Sequence, residues 1–319
     1  MKFASISHLM DESTKNVIPP SFYHDDLIVS PRIEVMGNEG YIIALNKTAK
    51  EIMNQPEDSI HELILKACLY AQNTLSIELI QLGALTTSVT KGGIWLTQQK
   101  DYAGYVNHGD SYTAAVTCQA VYKSFELTDK ILEESTLAII GAYGIIGEAV
   151  SKLLTPLFKK TYLIGRRKDK LDELSKKVRG SYELSCEIDT QQADIIVTAT
   201  SHPDALLQHY HLKKNVIVVD VSQPPNLSFE VCKKRPDVIR IDGGYVDFPI
   251  ESPIPIPGMP VGKNFACFAE VIMQSLENER ENHVGSIDLN HLRKTEDWGR
   301  NYGFSLNELT NFGKPIELE

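Results

Sequence analysis

The stretch TLAIIGAYGIIGEAVSKLLTPLF, residues 136–158, decides the fold of this chain. It joins a short apolar run, a turn with three glycines and a helical pattern of apolar residues. Four further short apolar runs follow, in KTYLI, ADIIVTATS, NVIVVDVS and DVIRIDGG. Continuous apolar strands that alternate with helices are typical of a parallel sheet covered on both faces. The sequence therefore predicts a Rossmann-type, doubly wound α/β domain.

Patterns on either side of this domain predict a second, mixed α/β domain. RIEVMGNEGYIIALN indicates two strands about a turn, LGALTTSVTKGGIWLT a strand with a Gly-Gly turn, and SIHELILKACLYAQNTL and SYTAAVTCQAVYKSFEL two helices. Proline-rich FPIESPIPIPGMPVG indicates a crossover loop or linker. We expect a substrate and catalytic domain at 1–129, a nucleotide domain at 130–250, and a crossover loop with helices at 251–319 that pack back on the first domain.

Composition limits the class of protein. The chain has 319 residues and a net charge of −10, which argues against general nucleic-acid binding. The chain has no run of about 18 apolar residues, the length that a membrane span needs. The stretch MKFASISHLMDESTKN lacks a signal-peptide pattern, so a cytoplasmic location is expected. The five cysteines show neither C-x-x-C nor zinc-type spacing, so no structural disulfide or metal is expected.

The glycine turn predicts a phosphate site. Its spacing is G-x-x-G-x-x-G, and it follows a strand and opens a helix, which is where a dinucleotide pyrophosphate binds. Gly141 would form the tight turn, Gly144 would admit the pyrophosphate, and Gly147 would allow close packing of helix on strand. The predicted cofactor-binding residues of this turn are Gly141, Tyr143, Gly144, Ile145, Ile146 and Gly147. A turn without a ligand is the structural alternative.

Two arginines after the second strand favour NADPH over NADH. Arg166 and Arg167 stand where an NAD site usually has an Asp or Glu for the ribose 2′-hydroxyl. Guanidinium groups suit a 2′-phosphate, although an exposed basic loop is the alternative. The residues 130–240 are also the only segment with a basic balance, 17 Lys and Arg against 14 Asp and Glu. Thr198, Ala199 and Thr200 end another strand and are predicted to lie beside the nicotinamide half.

One cysteine stands at a predicted helix start. GKNFACFAEVIMQSLENER, residues 262–280, places Cys267 in the first turn, three residues before Glu270. Unpaired N–H groups and the helix dipole lower the pKa of a thiol placed there and favour the nucleophilic thiolate. A small buried residue that fills a gap is the alternative.

Several motifs resemble the aldehyde-forming fatty acyl-(acyl-carrier-protein) reductases of the cyanobacterial alkane-pathway type. They are ISHL, LGALTTS, GDSYTAAVTCQAV, IIGAYGIIGEAV, GRRKDKLDEL, IDGGYV, FACFAE and MQSLE, spread along almost the whole chain. FACFAE is the most specific, and it carries the family's nucleophilic cysteine at Cys267. The chain departs from the family at Asp110, where Asn is usual, and at 106–108.

The resemblance implies a reaction. Cys267 would attack an acyl thioester and form an acyl-enzyme, which NADPH reduces to an aldehyde. An acyl carrier protein would be a possible partner, docked near Lys176, Lys177 and Arg179. Oxyanion donors would be helix-start N–H groups or a hydroxyl such as Thr86 or Thr87. Glu270, one turn after Cys267, could orient a water or the substrate, but its charge would also oppose ionisation of the thiol. His108 is the candidate general acid or base, with an ordinary loop histidine as the alternative.

Two other functions are compatible with the pattern. One is a dehydrogenase of the shikimate dehydrogenase kind, which works without covalent catalysis and needs a Lys/Asp pair in the first domain. Lys91 with Asp101 or Asp110 supplies only an unconvincing pair. The other is an NADPH-binding sensor that catalyses nothing. Acyl chain length, the choice between carrier protein and coenzyme A, and the oligomeric state are not given by the sequence.

Overall fold

The computed structural model describes residues 1–10, 12–202, 204–249 and 259–316. The chain forms two compact units, one of Met1–Tyr112 with Phe248–Phe304, the other of Thr113–Asp247 with Ser305–Glu319. The change from one unit to the other along the chain falls inside the helix Asp110–Ser124. Most of the expected proline-rich crossover, residues 250–258, lies outside the described residues.

The first unit contains a seven-stranded mixed sheet. In spatial order its strands are Tyr23–His24, Leu27–Val29, Asn38–Thr48, Phe3–Leu9, Leu79–Leu82 and Tyr105–Asn107, and Ile33–Val35 pairs with Asn38–Thr48. Phe3–Leu9 is parallel to both of its neighbours, and Ile33–Val35 is antiparallel to Asn38–Thr48. The two strands predicted in RIEVMGNEGYIIALN are therefore confirmed, with Met36 and Gly37 at positive φ in the turn.

Helices cover this sheet. They are Ala49–Met53, Glu57–Leu75, Leu85–Val89, Ile94–Thr97, Ala266–Leu276 and Leu289–Tyr302, with short 3-10 turns at Glu12–Asn16 and Pro20–Phe22 and a strand at Lys263–Phe265. The predicted helix in SIHELILKACLYAQNTL is confirmed: its residues Ile60, Ile64, Ala67 and Ala71 follow helical spacing and are fully buried. They contribute to a core that also contains strand residues such as Ile43.

The predicted strand through LGALTTSVTKGGIWLT is wrong beyond Leu82. The strand Leu79–Leu82 ends there, and two short helices follow, Leu85–Val89 and Ile94–Thr97. The Thr90 hydroxyl donates to the Thr86 carbonyl at 2.6 Å, a local bond that suits a helical turn. Gly93 at φ +85° then starts the second helix. The threonine hydroxyls thus donate hydrogen bonds to nearby backbone carbonyls. The preference of β-branched residues for strands does not reveal these bonds.

The second unit contains a six-stranded parallel sheet. In spatial order its strands are Tyr182–Ser185, Lys160–Ile164, Thr136–Ile140, Ile195–Thr198, Ile217–Asp220 and Ile239–Asp242. All five predicted strands are confirmed, and the edge strand Tyr182–Ser185 is an addition. Strand order reverses between Lys160–Ile164 and Ile195–Thr198, on either side of the fingerprint strand, so the fold is a Rossmann-type doubly wound sheet.

Both faces of the second sheet are covered. Its helices are Ile145–Leu154, Lys168–Ser175 and Phe229–Lys234, with most of Asp110–Ser124, 3-10 turns at Phe125–Leu127, Leu132–Glu134, Thr155–Leu157 and His209–His211, and strands at Tyr245–Asp247, Thr310–Asn311 and Lys314–Pro315. Strand residues such as Ala138, Ile196 and Val218 form its core. Among the described residues, no helix is both long and apolar enough to cross a membrane.

Candidate functional site

Cys267 is the second residue of the helix Ala266–Leu276, as the sequence predicts. The helix begins after Phe265, whose side chain offers no capping group, so the N–H groups of the first turn have no acceptor from a capping side chain. Cys267 is a free thiol of intermediate exposure, whereas its neighbours Ala266 and Phe268 are buried. The one partly exposed group on this turn is therefore the nucleophile candidate.

The expected fall in the thiol pKa is wrong for this structure. Burial, together with the carboxyl groups of Asp110 and Glu270, raises the pKa of Cys267 to about 12. Hydrogen bonds from the N–H groups of Phe268 and Cys267 act in the predicted direction, but they are the smaller effects. Burial and the two acidic side chains thus outweigh the helix start, so Cys267 is a thiol before substrate binds.

A loop at 107–109 closes over Cys267. Gly109 has φ +71°, and a Cβ there would lie 2.6 Å from the Cα and Cβ of Cys267, so this position requires glycine for two reasons. The Asn107 side chain holds the loop: its Oδ1 accepts from the Gly109 N–H at 2.5 Å, and its Nδ2 donates to Gln274 Oε1 at 2.7 Å. The loop and the cysteine helix are therefore fixed to each other.

His108 is a buried, neutral imidazole. Its Nδ1 accepts a hydrogen bond from the Asp110 N–H at 2.9 Å, so the ring proton is on Nε2. Burial lowers the pKa of His108 to about 4, although the charge of Glu270 opposes this. At neutral pH the His108 side chain therefore offers an N–H donor. Such a donor suits hydrogen bonding to an oxyanion better than the predicted proton transfer as general acid or base.

The carboxyl groups of the buried Glu270 and the half-buried Asp110 have opposite pKa shifts. Burial alone would raise the pKa of Glu270, but a hydrogen bond from His291 and charges nearby hold it below its usual value. Its Oε2 accepts from the Tyr112 N–H at 2.7 Å and its Oε1 lies 3.1 Å from His291 Nε2. Burial and the charge of Glu270 raise the pKa of Asp110 well above normal. Glu270 is thus ionised and Asp110 retains its proton to higher pH.

The two threonines proposed as oxyanion donors have other partners. The Thr86 hydroxyl donates to the Gly83 carbonyl at 2.8 Å, and the Thr87 hydroxyl donates to the Leu82 carbonyl at 2.6 Å. Both side chains are buried. Their role is to hold the turn after the strand Leu79–Leu82.

The glycine turn has the geometry that the fingerprint predicts. Gly141 adopts φ +85°, and a Cβ there would lie 2.3 Å from the Ala199 carbonyl oxygen. A Cβ at Gly147 would lie 2.0 Å from the Gly141 oxygen, so close helix-on-strand packing requires glycine there too. Gly144 is the N-cap of the helix Ile145–Leu154, and the partly exposed residues Ile145 and Ile146 begin it. Their N–H groups form a place for a phosphate.

The arginines after the second strand differ in their contacts. The Arg167 guanidinium forms a bidentate ion pair with Asp169, in which Nη2 and Oδ2 are 2.6 Å apart. The Arg167 backbone N–H donates to Tyr143 Oη at 3.3 Å. Arg166 is exposed, and among the described residues it has no ion-pair partner. A Cβ at position 165 would lie 2.3 Å from the Tyr143 ring, so Gly165 allows that ring to take its position. Arg166 is therefore the guanidinium that is available to a phosphate.

Residues 198–200 have different environments. The Thr198 hydroxyl is buried and donates to Asp220 Oδ1 at 2.5 Å, so this side chain serves the sheet. The Thr200 hydroxyl donates to Asn226 Oδ1 at 2.7 Å and is only partly buried. The Ala199 backbone contacts the Gly141 turn. The three predicted residues are thus adjacent to the fingerprint turn, but only Ala199 and Thr200 are partly exposed.

Sequence reasoning did not find every residue around Cys267. The sequence does not predict Gly109, Tyr112 or His291 in the site, and it indicates Asp110 only as a departure from a family pattern and as a candidate partner of Lys91. The contact between Gly109 and Cys267 joins positions 158 residues apart, and no sequence spacing indicates it. The sequence feature that could have indicated this contact is the glycine between His108 and the start of the helix Asp110–Ser124, because glycine is common where two backbones come close together.

Comparison with known proteins gives matches to oxidoreductases. A profile of the family described as shikimate / quinate 5-dehydrogenase matches residues 125–243, which is the nucleotide-binding sheet. The match does not include Lys91, Asp101 or Asp110, the residues of the Lys/Asp pair that such an enzyme would need.

Three curated relatives match longer or shorter parts of the chain. An aminotransferase, PigE, from a Serratia species is 24% identical over 85% of this chain and 32% of its own length. A long-chain acyl-[acyl-carrier-protein] reductase from Synechococcus elongatus is 28% identical over 60% of this chain and 54% of its own. A glutamyl-tRNA reductase from Caldicellulosiruptor saccharolyticus is 30% identical over 35% of this chain and 30% of its own. The chain thus spans between a third and about half of these relatives' lengths.

The fold and these likenesses define a class of protein. The six-stranded sheet with its glycine turn is similar to the NAD(P)-binding domains of dehydrogenases, and the relatives include reductases. The chain is therefore oxidoreductase-like, with a Rossmann-type domain of the kind that binds nicotinamide cofactors.

Proposed function

We propose that this protein reduces an acyl thioester to an aldehyde with NADPH, through an acyl-enzyme on Cys267. The observation that carries the proposal is the setting of Cys267: a partly exposed thiol in an uncapped helix turn, near the neutral His108 and the carboxyl groups of Asp110 and Glu270. The resemblance of FACFAE to the acyl-carrier-protein reductases and the likeness to one such enzyme support it.

In the first half-reaction, the Cys267 sulfur attacks the thioester carbonyl carbon. Since the thiol pKa is about 12, its proton must leave during the attack. This proton ends on the departing carrier sulfur, while Glu270 keeps its hydrogen bonds to the Tyr112 N–H and His291. A carbon–sulfur bond to Cys267 forms, the carrier's carbon–sulfur bond breaks, and the carrier leaves as a thiol.

The oxyanion of the tetrahedral intermediate needs donors. His108 supplies an N–H at Nε2, because its Nδ1 accepts from the Asp110 backbone. The N–H groups of the first helical turn at Ala266 and Cys267 are further donors. Donors held in place by a buried ring and by a helix start need little reorganisation as charge develops.

The cofactor would be held by the glycine turn and Arg166. The N–H groups of Ile145 and Ile146 bind the pyrophosphate, and Arg166 binds the 2′-phosphate that distinguishes NADPH from NADH. Bound NADPH supplies the hydride that reduces the acyl group. The bond between the acyl carbon and the Cys267 sulfur then breaks, and the sulfur leaves as a thiolate. The thiolate takes up one proton, which restores the thiol.

We further propose that the acyl group arrives on an acidic acyl carrier protein. Lys176 and Arg179 are exposed cations at the end of the helix Lys168–Ser175. Lys177, the third cation of this group, is paired with Glu148 at 3.0 Å and is therefore less available.

The test is aldehyde formation from an acyl thioester and NADPH by the parent chain, Cys267→Ala and Cys186→Ala. Cys186 is an exposed thiol, so its removal should leave the rate unchanged. Cys267→Ala should form no aldehyde and should still bind NADPH, because the glycine turn is untouched. A Cys267→Ala protein with the parent rate would overturn the acyl-enzyme and favour a dehydrogenase without covalent catalysis. NADPH binding without any turnover of thioesters by the parent chain would favour the sensor.

A further inference from the structure

Three potential metal ligands meet at one place in the first unit. Glu279, His283 and His291 each offer a ligand atom, and these atoms all lie within 4.8 Å of one another. The side chains are 10%, 12% and 6% exposed, so they are largely shielded but still reachable. The three residues lie close together in the sequence, within 279–291, but only the folded chain brings their ligand atoms to one place.

The backbone holds two of these residues firmly. The His283 N–H donates to the Val106 carbonyl at 2.8 Å, and the His283 carbonyl accepts from the His108 N–H at 3.1 Å. The Glu279 carbonyl accepts from Gln274 Nε2 at 3.1 Å. His291 lies in the helix Leu289–Tyr302. A site built on a sheet edge, a helix end and a second helix has little freedom to spread apart.

We propose that Glu279, His283 and His291 bind a divalent first-row transition-metal ion such as Zn²⁺. Imidazole and carboxylate donors suit this group of ions, and three protein ligands with an open position are a common arrangement. His283 Nε2 and Glu279 Oε2 lie 3.1 Å apart. Two ligand atoms at about 2.0–2.1 Å from a tetrahedral ion are separated by roughly 3.3 Å, so this pair is already spaced as ligands.

The surroundings of His291 support a ligand role. Its Nε2 lies 3.1 Å from Oε1 of the buried Glu270, at hydrogen-bond distance, and a proton on Nε2 leaves the lone pair on Nδ1. Metal-binding histidines usually donate their other ring nitrogen to a carboxylate in this way, which orients the ring and makes it more basic. Glu270 would therefore be the second-sphere partner of the site.

A pocket provides space for the ion and its open position. Its volume is about 380 Å³, and its wall includes the three ligands, His108 and Ser111. A water or a small anion can therefore complete the coordination. The proposal does not depend on the acyl thioester reaction, although the pocket also reaches His108.

Two features of the structure must change when an ion binds. The imidazole rings of His283 and His291 are stacked, with centroids 3.4 Å apart and planes at 7°, so one ring must turn for the lone pairs to converge. Lys294 donates to Glu279 Oε1 and competes with a cation there. The Lys294 side chain is 51% exposed and can move into solvent. Replacing Lys294 should therefore strengthen metal binding, whereas in a purely hydrogen-bonded cluster it would have no such effect.

The experiment is a titration of the full chain, freed of metal by a chelator, with Co²⁺, followed by competition with Zn²⁺. Visible d–d absorption reports the Co²⁺ site, and we expect one ion per chain. His283→Ala and Glu279→Gln should each weaken binding by at least the roughly 10–100-fold that loss of a ligand's hydrogen-bonding partner costs, and Lys294→Met should tighten it. His209→Ala removes an exposed histidine of the second unit and should change nothing.

Folding of each variant is checked by thermal unfolding, and Glu279→Gln preserves size in case His283→Ala fails to fold. The proposal is overturned if the chain binds no stoichiometric Co²⁺, or if affinity is the same in Glu279→Gln and in the parent. It is equally overturned if the Co²⁺ spectrum shows a thiolate charge-transfer band that disappears in Cys267→Ala, since the ion would then be on the cysteine.

Discussion

Gly109 packs directly on Cys267, so that a Cβ at position 109 would lie 2.6 Å from the Cys267 Cα. Gly109 also has a positive φ of +71°. The position of the candidate nucleophile therefore depends on a glycine in a loop far away along the chain, and the loop also presents His108.

This contact predicts the effect of Gly109→Ala. Gly37 is the matched control, because it has φ +86° and no atom within 4 Å of a built Cβ. Gly37→Ala should cost only the backbone strain, about 1 kcal/mol in the free energy of unfolding. Gly109→Ala should cost about 2 kcal/mol more, since the Cys267 backbone must also move. Denaturant unfolding measures both, and equal losses would show that the Gly109 contact is not tight.

The raised thiol pKa predicts how alkylation of Cys267 depends on pH. With a pKa of about 12, only about one thiol in ten thousand is ionised at pH 8. Because the reactive form is the thiolate, the alkylation rate should keep rising about tenfold per pH unit between pH 9 and 11, where an ordinary cysteine is already ionised. Iodoacetamide labelling followed by peptide mass spectrometry measures this, with Cys267→Ala as the blank. A rate that levels off near pH 8.5 would contradict it.

Asp110→Asn should lower this pKa. After burial, the charge of Asp110 is the largest effect that raises it, so its removal favours the thiolate. We expect faster labelling of Cys267 at pH 9–10 than in the parent chain. Asn keeps the shape of the side chain and the backbone N–H that His108 accepts. Labelling at the parent rate or below would mean that Asp110 does not act on the sulfur.

The difference between the arginines predicts cofactor selectivity. Arg166→Ala should weaken NADPH binding by about tenfold, the loss of one charge-assisted hydrogen bond to an exposed phosphate, and leave NADH binding unchanged. Arg167→Ala should have a smaller effect, because Arg167 is already paired with Asp169. Cofactor fluorescence titrations give the dissociation constants of NADPH and NADH for the parent chain and for both variants. If NADPH and NADH lose equally, Arg166 does not bind the 2′-phosphate.

Particular elements show what the sequence could and could not predict. Five parallel strands of the second unit were predictable because each is a short apolar run, whereas the edge strand Tyr182–Ser185 is mostly polar. Gly141 and Gly147 were predictable because backbone contacts exclude any side chain there. The segment after Leu82 was not, since threonine hydroxyls bond to local carbonyls and form short helices. The helix start at Cys267 was correct, and Glu270 follows within one turn, but the thiol pKa also depends on burial and on Asp110, which only the folded chain brings near the sulfur. Glu279, His283 and His291 are close in the sequence, but the convergence of their side chains needs the same tertiary information.

The charge on the helix Lys168–Ser175 predicts a preference among carriers. Lys176→Glu with Arg179→Glu should slow reduction of acyl groups on an acidic carrier protein, and the effect should shrink as salt rises. The same acyl group on coenzyme A is the control and should react at nearly the parent rate. Equal slowing of both substrates would argue for a general defect.

The most direct measurement of the central claim is the mass of the intact protein after exposure to an acyl thioester without NADPH. The acyl-enzyme account predicts one added acyl group, located by peptide mapping on Cys267 and on none of Cys68, Cys118, Cys186 or Cys232, and its release as aldehyde when NADPH is added. Cys267→Ala should gain no such mass. An unmodified Cys267 in a protein that nevertheless forms aldehyde when NADPH is supplied would contradict the account.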